Sequence, residues 1–128
     1  MATRLTSLVS TPASDGVERF YQDFLERSPE VAPLFAATDF SKQRKLLRAS
    51  VYVLATRDVE EPQAREMLER IGESHGRARR NIRPELYEVW LDALCQTVRW
   101  LDPTWSDEVE QAWREKMRPG IDIITSMY

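Results

Sequence analysis

His75 is the one histidine of this chain, and it stands in the stretch Arg-Ile-Gly-Glu-Ser-His-Gly-Arg-Ala-Arg-Arg-Asn-Ile from Arg70 to Ile82. Leu68 and Ile71 precede it by about two and one helical turns, which puts the imidazole at the apolar edge of a helix. A neutral imidazole can ligate a metal, carry a proton or do neither. Its arginine-rich neighbourhood alone favours an exposed or helix-capping group. Two further polar side chains fall on apolar faces. Tyr21 lies inside the stripe Val17, Phe20, Phe24 and Leu25, where a tyrosine is ordinarily a core ring whose hydroxyl reaches a surface partner. Gln43 comes one turn before Leu47, where a buried amide needs a hydrogen-bond partner.

Other chemistries find no material. The single cysteine, Cys95, excludes an intramolecular disulfide and any cysteine-based zinc or iron–sulfur site. Its apolar surroundings in a helical pattern are those of a buried, inert thiol. The four glycines are scattered and form no phosphate-binding loop. The carboxylates lie on polar helix faces, as solvated charge does. A net charge of -3 gives a nucleic-acid partner no overall support, although residues 77 to 83 are locally basic.

Helices must position these groups, because no stretch alternates with period two over a useful length. With 128 residues, 42% of them hydrophobic, the chain reads as one all-α domain over 1–128 with a substantial core. Residues 2 to 11 predict a weak first helix ended by Pro12. A second begins near Asp15, and Ser28-Pro29 opens a short turn from Pro29 to Phe35. Asp39 or Ser41 caps a helix running to about Thr56, with Phe40, Gln43, Leu46, Leu47, Val51 and Leu54 inward. After a break over 58–62, Ala64, Met67, Leu68, Ile71 and His75 mark the next helix, which Gly76 stops. Pro84 starts another, with Tyr87, Trp90, Leu91, Leu94 and Val98 inward. The last, capped by Thr104 or Ser106, carries Val109, Ala112, Trp113, Met117, Ile121 and Ile124, and Pro119-Gly120 is expected to kink or interrupt it. Trp100, Trp105 and Trp113 read as core or interface packing.

A lone histidine facing a core, opposite a phenol and an amide, is most of what a haem requires. One imidazole supplies the axial ligand, apolar side chains enclose the porphyrin, and arginines can meet the propionates. At this point the sequence resembles the bacterial globins, in particular the haem domain of flavohaemoglobins and their single-domain relatives. The resemblance rests on Phe20-Tyr21, Pro33-Leu34-Phe35, Gln43 with Leu47, His75, and Ile82-Arg83-Pro84-Glu85-Leu86-Tyr87, in order from about residue 15 to about 115. Each motif alone is weak, and their order makes them specific.

The resemblance implies a globin fold with a short first helix, and haem b held through His75. It makes Phe35 the ring stacked on the haem, Ile82 a proximal contact, and Tyr87 the tyrosine that holds the histidine. Ile71, one turn before His75, joins these cofactor-binding residues. Tyr21 and Gln43 become distal donors to a gas ligand (O2, NO or CO), and Leu47 limits ligand motion. Trp90, one turn after Tyr87, is either packing or a third donor. The arginines at 77, 79, 80 and 83 are either a solvated face or partners of the propionates. Where flavohaemoglobins carry a glutamate on the last helix, this chain has Met127-Tyr128, and the flavin and nicotinamide reductase domain is absent.

The function implied is O2 scavenging or NO detoxification, the latter as an NO dioxygenase working with an external reductase. A haem-based gas sensor and a haem-free globin-fold interaction protein are the alternatives. The first ten residues have no apolar core of a signal peptide and no window is long enough to span a bilayer, so a cytoplasmic monomer or homodimer is expected, without nucleic-acid or membrane partners.

Overall fold

Residues 15–128 are described by a computed structural model, in which every regular element is an α-helix. The elements are α1 (Asp15–Arg27), α2 (Val31–Leu34), α3 (Phe40–Thr56), α4 (Pro62–His75), α5 (Leu86–Leu101) and α6 (Asp107–Ser126). The weak helix expected over residues 2 to 11, which the resemblance makes a short first helix, lies outside the described residues. Among the described residues no helix is long and apolar enough to cross a membrane.

Local chemistry sets the boundaries. The Asp39 carboxylate accepts the Ser41 and Lys42 N–H groups at 3.0 and 3.4 Å, and the Ser106 hydroxyl accepts that of Val109 at 3.2 Å. Each satisfies donors that a helix start leaves without intrahelical partners. Pro62 occupies the first turn of α4, where its missing N–H removes no bond. The other two prolines expected to start helices sit just ahead of them. The Ser28 carbonyl accepts Val31 N–H at 3.1 Å and that of Pro84 accepts Tyr87 N–H at 3.1 Å, so each proline is used in a turn that feeds the helix.

The core forms where α1 packs along α5 and where α6 meets α3, α4 and α5. Phe20, Leu68, Leu91, Leu94, Val98, Trp113 and Met117 are fully enclosed. Burying each large apolar side chain contributes about 1.5–3 kcal/mol. Cys95 is buried among them, and burial pushes its thiol up to about 11, as an inert thiol requires.

Three expectations change. Leu46 is 59% exposed and faces solvent, because the buried face of α3 runs through Leu47, Val51, Leu54 and Ala55. Trp100 is also exposed and has the Arg19 guanidinium 4.3 Å from its ring centre, which makes it a cation–π platform and not a core residue. Pro119-Gly120 does not interrupt the last helix, since α6 runs through both. Pro119 is exposed, and Gly120 is a notch: a Cβ there would lie 1.8 Å from Leu54 Cδ2 and 3.5 Å from Leu68 Cδ2. Dense packing of α3 and α4 against α6 at this point selects glycine.

Gly72 plays the same part between α4 and the end of α6, where a Cβ would meet Met127 Sδ at 2.8 Å and the Ile124 carbonyl at 3.2 Å. By contrast, α3 and α4 follow one another in the chain and both lean on α6, yet they make little contact with each other.

Candidate functional site

His75 is the last residue of α4, and the chain after it folds back on the helix end. Asn81 N–H donates to the Gly76 carbonyl and Ile82 N–H to the His75 carbonyl, both at 2.9 Å. Asn81 completes this turn with φ at 52°, a left-handed conformation that asparagine tolerates better than most residues. The turn brings the start of α5 over the end of α4, so that His75 Nδ1 and the Tyr87 hydroxyl form a 2.8 Å hydrogen bond.

Burial pushes the His75 pKa down to about 4, and the positive charge of Arg80 acts in the same direction. The imidazole is therefore neutral at physiological pH. Burial also raises the Tyr87 phenol above its ordinary range, so it keeps its proton. In the tautomer where Nδ1–H donates to the phenol oxygen, Nε2 carries the free lone pair that a metal needs. Among the described residues no group of three or more His, Cys, Asp or Glu is placed to hold a metal ion. Ile71 and Ile82 are half-buried against the core beside it.

A second group gathers around Tyr21, which is 5% exposed. Its ring lies edge-on to Phe20, Phe35 and Phe40 with centroids 5.1, 5.8 and 5.5 Å away, while Phe35 stacks on Phe40 at 5.9 Å and meets Phe24 at 6.0 Å. The Tyr21 hydroxyl has one long bond, 3.5 Å, to the main-chain carbonyl of Gln43, at the outer limit of a hydrogen bond. Burial pushes this phenol up to about 12, with Gln43 and the charge of Arg44 opposing. It is a protonated donor with almost no protein acceptor. Leu47 is buried one turn beyond the half-buried Gln43.

The predicted residues thus assemble in two groups. Tyr21, Phe35, Gln43 and Leu47 belong to one, and His75, Ile71, Ile82 and Tyr87 to the other. No direct hydrogen bond or ring contact joins them. Trp90 lies between: half-buried on α5 one turn beyond Tyr87, it packs edge-on against Phe20 at 5.9 Å. Sequence reasoning gave Phe24 and Phe40 no place in the site. Phe40 had a readable signal, since it precedes Gln43 and Leu47 by three and seven residues on one helix face.

The four arginines of the basic stretch separate by partner. Arg83 grips Glu30 through two bonds of 2.9 and 2.6 Å, tying the turn before α2 to the approach to α5. Arg79 pairs with Glu73 at 3.4 Å, and Arg77 lies 4.7 Å over the Tyr128 ring. Arg80 has no ion-pair partner among the described residues, although its charge reaches His75.

No family model matches the chain, and no curated protein matches it. Among solved structures, it is similar to a crystal structure of a protein from Pseudomonas aeruginosa PAO1 that is described as structurally highly homologous to a human hemoglobin. The two chains are 35% identical and superpose with a TM-score of 0.80 over 99% of this chain and 97% of the other.

Proposed function

This chain belongs to a bacterial globin family, and from that premise we propose that it holds haem b through His75 and that the bound haem takes up O2, NO or CO. The observation that carries this reading is the 2.8 Å hydrogen bond between Nδ1 of the neutral His75 and the Tyr87 hydroxyl, which leaves Nε2 available in the tautomer where Nδ1–H donates.

Three features of the protein fit a porphyrin. A half-buried imidazole is already oriented by a phenol. Helices α3 and α4 lean on α6 and barely touch each other, as the walls of a cofactor crevice would. Tyr21 is a buried hydroxyl with little to bond, next to an apolar wall of Phe35 and Phe40. When bound, haem supplies an iron whose open position accepts a small gas. Phe35, Leu47, Ile71 and Ile82 would exclude water from its faces. Arg80, the unpaired member of its arginine cluster, is the candidate to meet a propionate.

On the distal side Tyr21 would donate a hydrogen bond to the gas, joined by the Gln43 amide and by Trp90 if its indole N–H turns inward. Two donors of about 1 kcal/mol each would slow O2 release by roughly thirty-fold. This favours scavenging over transport. NO consumption in the presence of a supplied reductant and O2 tests the detoxifying form of the reading.

The decisive experiment is an absorption spectrum of the purified protein after haem addition. A Soret band that disappears in His75→Ala supports the assignment. No band in the wild-type protein would reject it in favour of a haem-free interaction protein.

A further inference from the structure

We propose that the end of α6 is a latch that positions His75, with Tyr128 as its positioning residue. The proposal rests on the haem reading for its consequence, but its geometry is independent of it.

Tyr128 is held at two points of the 76–82 turn. Its hydroxyl donates to Asn81 Oδ1 at 2.5 Å, and its ring lies under the Arg77 guanidinium, 4.7 Å away. Just before it, Met127 packs into the notch left by Gly72, one turn ahead of His75, and its carbonyl approaches Gly76. The end of α6 therefore grips α4 on one side of the histidine and the turn on the other.

The grip matters because α4 and α5 make little contact of their own. What sets His75 opposite Tyr87 is the connecting chain, closed by the bonds of Asn81 to Gly76 and of Ile82 to His75. Asn81 is the left-handed residue of that chain, and Tyr128 holds its side chain. Loss of the Tyr128 hydroxyl would let Asn81 leave this conformation, loosen the bond from Ile82 to the His75 carbonyl, and relax the imidazole against Tyr87.

The test compares wild type, Tyr128→Phe, Tyr128→Phe with Arg77→Gln, and Asn81→Asp. Asn81→Asp keeps both the acceptor and a residue type tolerant of positive φ. The first measurement is made without added haem: nitrogen chemical shifts of the His75 ring and amide deuterium exchange across 76–82. We expect Tyr128→Phe to shift the Nδ1 signal and to speed exchange of the Asn81 and Ile82 amides about two- to tenfold. The double variant should do more, and Asn81→Asp should resemble wild type, with amides of α1 unchanged throughout.

The second measurement is the iron–histidine stretching frequency of the haem-loaded ferrous protein, expected to shift and broaden in Tyr128→Phe. Ring shifts and amide exchange that match wild type in both Tyr128 variants would overturn the latch, whatever the haem result. A wild-type protein without a Soret band would overturn the haem reading instead, and the ring and exchange data would still decide the latch.

Discussion

The two phenols of this protein do opposite things with the same chemistry. Both Tyr21 and Tyr87 are held protonated by burial. Tyr87 is bonded at 2.8 Å to His75, whose helix is packed against the end of α6 through Gly72. Among the described residues the Tyr21 hydroxyl meets only a carbonyl, at 3.5 Å. Buried polar groups are normally satisfied, and a satisfied one orients its partner. A buried donor left nearly idle is instead available to something from outside. On the proposed reading, the side around His75 would be preset by the protein, and the side around Tyr21 would be completed by the ligand.

The most direct way to break this contrast is His75→Ala, which should abolish haem uptake entirely, as the Soret band reports. Next in size is a pH effect on the haem-free protein. Folding lowers the His75 pKa from 6.5 to about 4, so the unfolded chain binds a proton that the folded one refuses. Stability is unaffected above pH 6.5, falls as pH drops toward 4, and levels off below that. The loss from this group should approach about 3 kcal/mol. Urea midpoints measured from pH 7 to 4 should show a step that is absent in His75→Ala.

Tyr87→Phe removes the imidazole's partner and should weaken haem retention by roughly ten- to a hundred-fold, read as the rate of haem transfer to an acceptor protein. Tyr21→Phe should do the reverse: haem retention unchanged, O2 dissociation faster by about fivefold in stopped flow, and thermal stability altered by less than about 0.5 kcal/mol. Equal effects of the two tyrosine variants on haem retention would erase the distinction between the sides. The smallest effect is expected of Leu46→Gln on the solvent face of α3, within about 0.5 kcal/mol by denaturant unfolding.

The helical architecture was legible because apolar spacing and caps agreed. The i, i+3, i+4 stripes marked the faces of α1, α5 and α6, and Asp39 and Ser106 fell at helix starts. Leu46 lies at the edge of the α3 stripe, where it turns to solvent while Leu47 beside it is buried. Periodicity does not say which is the outer one. The expected break at Pro119-Gly120 did not form, because the reason for Gly120, like that for Gly72, lies in side chains from other elements: Leu54 and Leu68 for one, Met127 for the other.

The site was legible one residue at a time and not as pairings. His75, Tyr21 and Gln43 declared themselves as polar groups on apolar faces. Their partners were chosen by tertiary distance, which spacing in sequence does not encode. The bond of Asn81 to Tyr128 joins residues 47 positions apart. The separation of Arg80 from its three engaged neighbours likewise depends on where Glu30, Glu73 and the Tyr128 ring come to lie.

Gly120 gives the proposed crevice a fulcrum. Leu54 of α3 and Leu68 of α4 converge on it, whereas Gln43 and His75 lie about 16 Å and 10 Å away along their helices at 1.5 Å per residue. Two stiff rods pinned near one point and poorly joined elsewhere act as levers. A displacement of a few tenths of an ångström at the pin becomes a larger change in gap at the far ends. The size of the side chain at position 120 would then calibrate how wide the mouth stands, from a place that no ligand touches.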